Sequence, residues 1–209
     1  MNILSKTIPL GPYGANCTIL WHDDGSALII DPGADGDLLA GWLSERKLTP
    51  SAIFLTHAHF DHISGVDPLL ARFPAPILMH AADEPLAFSP FNLSQPGYAG
   101  MSRSPLLSLF STEDTTIPGW PEAKILHTPG HSPGSCCLHF SDEALLVAGD
   151  TLFEGGSYGR YDLPGGSWEQ LEASLRRLAV FPGKTQVICG HGGGTTISAW
   201  REFAPFPIP

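Results

Sequence analysis

Four side chains able to ligate a metal crowd into six residues, His57-Ala58-His59-Phe60-Asp61-His62, with no Lys or Arg among them. Imidazoles and a carboxylate packed so closely repel and desolvate badly unless a cation binds them, so the pattern points to a metal ion. Three further residues stand in a comparable setting: His131 in Thr128-Pro129-Gly130-His131, Asp150 in Val147-Ala148-Gly149-Asp150, and His191 in Val187-Ile188-Cys189-Gly190-His191. Each follows an apolar, strand-like run and sits beside glycine. Strand ends hold side chains rigidly, and glycine lets the backbone turn sharply so that ligands can converge.

The elements that must position these residues are legible in order. Asn2 to Pro9 and Cys17 to Trp21 read as strands separated by the turn Gly11-Pro12-Tyr13-Gly14, and Asp23-Asp24-Gly25 turns the chain into a third strand at Ala27 to Ile30. Asp35 or Asp37 caps a helix whose apolar face is Leu38, Leu39, Trp42 and Leu43. Ala52 to Thr56 is a buried strand that delivers the histidine cluster into a loop. Ser64 caps a second helix through Leu69, Leu70 and Phe73, and Ile77 to Met79 forms the next strand.

Residues 87–111 lose periodicity and stay apolar; such a long loop is either a functional lid or a packed surface segment. Strands follow at Lys124 to His127, Ser135 to Phe140 and Ala144 to Ala148, then a helix capped by Ser167, a strand at Gln186 to Cys189 and a short helix over 196–203. Two sheets facing each other with helices outside satisfy this order.

A chain of 209 residues with 43% hydrophobic and 15% charged residues is globular, and no shift in composition divides it. The net charge of -10 opposes binding to nucleic acid, and no run is long and apolar enough to span a membrane. Cys17, Cys136, Cys137 and Cys189 form no CxxC pair and read as buried thiols of a reducing compartment, which places the protein in the cytoplasm. His22, His80, His127 and His139 lack ligand neighbours and read as structural.

Taken together, His57-x-His59-x-Asp61-His62, His131, Asp150 and His191, with Asp31-Pro32-Gly33 and Gly149-Asp150-Thr151-Leu152-Phe153, resemble the metallo-β-lactamase fold superfamily over nearly the whole chain. The intact ligand series is similar to the glyoxalase II (hydroxyacylglutathione hydrolase) branch, in its short bacterial form. The resemblance implies an α+β fold, a four-layer αββα sandwich forming a single domain over 1–209, without the C-terminal helical domain of full-length glyoxalase II.

It also implies that His57, His59 and His131 hold one divalent metal, that Asp61, His62 and His191 hold a second, and that Asp150 bridges them. Zn suits these ligands, with Fe or Mn admissible at one site. The implied activity is thioester hydrolysis, most directly of S-lactoylglutathione, by a hydroxide shared between the two ions. Asp61 and Asp150 are its catalytic carboxylates, as ligand and bridge instead of a general acid-base pair.

Arg160 and Tyr158 stand in the loop that the branch uses for substrate, although Arg160 could instead pair with Asp162 in a surface turn. Two other chemistries share the fold: a single-iron oxidoreductase of the persulfide dioxygenase kind, and lactone hydrolysis. The implied partner is a small-molecule thioester, with no nucleic acid or membrane, and the oligomeric state is not legible.

Overall fold

In the computed structural model, which describes residues 3–207, the chain forms two β-sheets packed face to face with helices on both outer surfaces. The first sheet sets β1 (Leu4–Leu10), β2 (Ala15–Trp21), β3 (Ser26–Ile30), β4 (Thr49–Phe54), β5 (Ile77–His80) and β6 (Leu107–Phe110) side by side in that order. The second does the same with β7 (Ala123–His127), β8 (Cys136–Phe140), β9 (Leu145–Gly149), β10 (Gln186–Cys189) and β11 (Thr195–Thr196). Helices α1 (Gly36–Glu45), α2 (Phe60–Ile63), α3 (Val66–Arg72), α4 (Glu84–Ala87) and α5 (Pro90–Leu93) accompany the first sheet in sequence, and α6 (Trp168–Ala179) and α7 (Ile197–Arg201) the second. Asn2, included in the expected opening strand, lies outside the described residues.

The alternation of side chains along a strand builds the layers. Ile19, Ile29 and Ile53 point outward and pack with Leu39 and Leu43 of α1 and Val66 and Leu69 of α3. Their neighbours Leu20, Leu28 and Phe54 point inward and meet Ile125, Leu138, Phe140 and Val147 of the second sheet. Leu146 and Val187, on the far face of that sheet, close against Leu171, Leu175 and Leu178 of α6 and Trp200 of α7. Strand segments buried on both faces must be largely apolar, which is why Ala27 to Ile30 of β3 and Ala52 to Phe54 of β4 read as continuous apolar runs.

Strand direction gathers the site. β3, β4, β5 and β6 are mutually parallel, so residues following β3, β4 and β5 emerge at one edge. In the second sheet β7 and β9 both run antiparallel to β8, and β10 runs parallel to β9, so the segments after β7, β9 and β10 also share an edge. The two edges are joined there by backbone hydrogen bonds, Cys136 N to Thr56 O at 2.7 Å and Asn16 N to Gly190 O at 2.7 Å. Open sheets of parallel strands place ligands at such carboxyl ends.

Four local expectations need correcting. Leu38 is 73% exposed, because the stripe of α1 that reaches the sheet runs through Leu39, Ala40 and Leu43. Asp35 occupies the N-cap position of α1 but makes no capping bond; its carboxylate accepts from Gly11 N instead. The Ser64 hydroxyl donates to Phe60 O, closing α2, and α3 starts after Gly65. Residues 87–111 hold α5, a single helical turn, and the edge strand β6, whose half-exposed residues do not stand out from the aperiodic stretch around them.

Candidate metal centre

β4 ends at Phe54, and the chain passes through Leu55 and Thr56 into His57, Ala58 and His59 before winding into α2, which carries Asp61 and His62. The cluster is thus part loop and part helical turn, not the wholly looped segment expected. All four of its polar side chains are buried, His62 completely. His131 comes from the loop between β7 and β8, Asp150 directly follows β9, and His191 lies two residues past β10. Gly190 has the close approach its position suggested: a Cβ there would collide with Asp150 Oδ1.

The seven side chains meet in two groups. His59 Nδ1 and His57 Nε2 lie 2.8 and 3.3 Å from His131 Nε2. His191 Nε2 lies 3.2 Å from His62 Nε2 and 3.3 Å from Asp61 Oδ2. In each triad the candidate ligand atoms fall within 4.8 Å of one another. Asp150 spans both: Oδ1 is 3.4 Å from His62 Nε2, and Oδ2 is 3.5 Å from His131 Nε2.

The donor set fits metal ions. Nitrogen atoms of neighbouring imidazoles converge on common points, and Asp150 Oδ1 is buried with no hydrogen-bond partner, a costly arrangement for a carboxylate unless a cation meets it. Asp31, His57 and His62 form a third group of suitable atoms, but Asp31 is already committed. Its oxygens accept from Thr56 N at 2.7 Å and Thr56 Oγ1 at 2.6 Å, and lie 3.0 Å from His62 Nδ1. Asp31 therefore orients the His62 ring, as metal-ligating histidines require of the partner on their other nitrogen. It sits at φ 52°, a left-handed conformation that Asp tolerates better than most residues. Carbonyl oxygens do the same elsewhere: Arg160 O lies 2.7 Å from His131 Nδ1, and Tyr13 O 3.2 Å from His191 Nδ1. The orienting role of Asp31 was missed in the sequence, where Asp31-Pro32-Gly33 carries part of the superfamily resemblance but no assigned role; its one signal was an Asp directly after an apolar strand, the setting Asp150 also has.

Without a cation the two groups differ in charge. Burial and the neighbouring imidazoles push His57 well below the ordinary histidine range, and burial first, then His131, takes His59 down to about 3. Burial acts the same way on His62 but is outweighed by Asp150, Asp31 and Asp61, which raise it to about 10. Burial pushes Asp61 up, yet the hydrogen bond from His191 and the charge of His62 hold it at about 2. His57 and His59 are therefore neutral and ready for a cation at neutral pH, whereas His62 in the second triad holds a proton that a cation must displace. Binding displaces that proton, so Zn²⁺ affinity of the second triad is expected to climb roughly tenfold per unit as the pH rises towards about 10 and to level off above it, with much less change at the first. Stepwise Zn²⁺ titration of metal-stripped protein at several pH values reads this directly.

A cleft of about 820 Å³ opens over the cluster, with His59, Asp61, His131, Asp150 and His191 in its lining. Tyr13, Phe60, Phe91 and Phe153 form much of its wall, with Phe91 and Gln95 supplied by the 87–111 segment. Arg160 and Tyr158 also line it. The Arg160 guanidinium makes two 2.9 Å bonds to Asp162, the surface pairing that the sequence allowed for. Tyr158 packs on Trp168 with ring centroids 5.2 Å apart. The four histidines read as structural lie elsewhere. His22 pairs with Glu122 at 2.7 Å, His80 stacks on His127, and His139 meets Phe181 edge-on.

The model of the metallo-β-lactamase superfamily matches residues 10–191, and the chain belongs to that superfamily. The crystal structure of BLEG-1 B3 metallo-beta-lactamase superposes with a TM-score of 0.89 at 39% identity, covering 97% of this chain and 98% of that one. TTHA1623 in a di-iron-bound form gives 0.86 at 35%, covering 97% and 100%. The hydroxyacylglutathione hydrolase GloC of Haemophilus influenzae is 32% identical over 215 residues, 99% of this chain and 98% of that protein, in keeping with a glyoxalase II-like branch. The architecture is the αββα sandwich that membership implies, and the histidine-aspartate groups are those of a divalent-metal hydrolase superfamily. No helix among the described residues is long and apolar enough to cross a membrane.

Proposed function

We propose that this protein hydrolyses thioesters, with S-lactoylglutathione and related hydroxyacyl thioesters as the substrate class. The observation that carries this reading is a pair of triads at the floor of one cleft with a single carboxylate, Asp150, reaching both. His57, His59 and His131 would hold one divalent ion, Asp61, His62 and His191 a second, and Asp150 both. Ions so held supply Lewis-acid polarisation of a carbonyl and lower the pKa of a bound water towards ~7.

The chain's own residues do the rest. Asp31 and the Tyr13 and Arg160 carbonyls fix ring orientation. Asp61 and Asp150 act as ligands, because carboxylates committed to a cation are poor bases. The aromatic wall takes the apolar part of the substrate and excludes water, with Tyr158 and Arg160 at the thiol side. No cysteine serves as nucleophile: all four are free and buried, and burial raises each thiol's pKa.

Imidazole and carboxylate ligands favour Zn, and the di-iron form of TTHA1623 supports Fe as the alternative. The buried thiols suit a reducing cytoplasm, and a net charge of -10 suits a small-molecule partner better than nucleic acid. The complete second triad weighs against the single-iron persulfide dioxygenase chemistry.

β-Lactam hydrolysis is the second reading, favoured by the 39% identity to BLEG-1. Parallel kinetics on S-lactoylglutathione, a neutral acyl thioester, a lactone and a chromogenic β-lactam, with metal analysis, separate these possibilities. Thioester kcat/KM is expected to exceed the others by at least about tenfold, the discrimination one well-made contact supplies. A preference for lactone or β-lactam, or one iron per chain with oxygen consumption, overturns the proposal. Phe91→Ala should raise KM about tenfold with kcat nearly unchanged, as loss of one buried aromatic contact implies.

A further inference from the structure

Asp83 carries a carboxylate at 0% exposure, on the turn that follows β5 and outside the seven candidate ligands. A charge so placed is expensive unless fully bonded. Its oxygens accept three hydrogen bonds: from Ala58 N at 2.9 Å, from Ser132 Oγ at 2.7 Å and from Gly134 N at 2.5 Å. Ala58 stands between His57 and His59, and Ser132 is next to His131, so one side chain grips both segments of the first triad. Room for it is built in, since a Cβ on Gly134 would sit 2.7 Å from Asp83 Cγ.

The position in the sheet explains the arrangement. β4 lies between β3 and β5, and each flanking strand ends near an aspartate that reaches back to the backbone leaving β4. Asp31 takes Thr56 N, just before His57, and Asp83 takes Ala58 N, just after it. The His57-x-His59 segment is thus held between two carboxylates. Asp31 serves the second triad through His62, and none of the three donors to Asp83 belongs to that triad.

We propose that Asp83 is a positioning residue for the first half-site, holding His57, His59 and His131 in register by tying their two loops together. The proposal rests on the two-ion reading above. It predicts a selective effect: loss of Asp83 weakens the first half-site and spares Asp61, His62 and His191.

Zn²⁺ titration against a competing chelator tests it on the full chain. In Asp61→Asn protein, which isolates the first half-site, adding Asp83→Asn should lower Zn²⁺ affinity about 10- to 100-fold, the usual cost of removing an outer-shell partner. An amide in place of the carboxylate sets an N–H against at least one of the three donors. On the otherwise native chain, Asp83→Asn should leave the affinity of the second ion unchanged.

Ser132→Ala removes one donor and keeps the buried carboxylate bonded to two backbone groups. It should act in the same direction by about three- to tenfold, and it carries the test if Asp83→Asn does not fold. Native protein binding fewer than two ions overturns the two-ion reading and this proposal with it. Two ions in native protein with unchanged first-site affinity in the variants overturns the role of Asp83 alone. Equal weakening of both half-sites does the same, because it would mark Asp83 as serving the fold and not the triad.

Discussion

Asp150→Asn is expected to lower kcat/KM by on the order of a thousandfold, comparable to losing a group that stabilises developing charge, and to leave fewer than two metal ions per chain. Asparagine matches the shape of aspartate but carries one acceptor oxygen and one amide. Asp150 now directs Oδ1 towards His62 Nε2 at 3.4 Å and Oδ2 towards His131 Nε2 at 3.5 Å. Whichever way the amide is turned, one half-site meets N–H where it had a carboxylate oxygen. Asp61→Asn is the informative contrast, because Asp61 reaches only His62 and His191 of the second triad. It should remove the second ion and most of the hydrolysis while the first ion stays. Metal analysis beside steady-state kinetics checks both variants. If Asp150→Asn retained two ions and a rate within about threefold of native, no residue would be bridging and the proposed centre would be wrong.

Metal removal should cost stability as well as activity. An ion present at about a thousand times its dissociation constant stabilises the fold by ~4 kcal/mol, and a domain of this size shifts by about 2–4 °C per kcal/mol, so chelation should lower Tm by roughly 10 °C. The direction follows from the site. Without a cation, Asp150 Oδ1 stays buried and unpartnered, and His62 must carry a proton at zero exposure to offset Asp31, Asp61 and Asp150. Thermal denaturation with and without chelator, followed by Zn²⁺ addition, reads the shift. An unchanged Tm in protein shown by metal analysis to be stripped would mean that the cluster does not bind metal strongly.

Much of this protein is written locally. Strand-length apolar runs ending in His or Asp beside Gly are visible without a fold, because both β-pairing and ligand presentation leave short-range marks. β2 to β5, β7 to β10 and α6 with its Ser167 cap follow from periodicity and capping, and the seven candidate ligands stand where those strands end.

What local pattern does not carry is the division of labour. His59 lies 72 positions from His131, and His62 lies 129 from His191, so their partnership depends on two sheets closing against each other. α5 and β6 stayed hidden because α5 is a single helical turn and β6 an edge strand half exposed along its length, neither marked off from the aperiodic stretch around it, yet α5 brings Phe91 into the cleft. Asp31 and Asp83 were equally inconspicuous, one in a turn and the other in a polar stretch after a strand. Residue type and spacing alone show which side chains can bind metal and at which strand ends they stand. Their convergence as two triads sharing Asp150, and the grip of Asp31 and Asp83 on the backbone between them, come from the closed fold, because hydrogen bonds across strands 25 residues apart exist only once the sheet has formed.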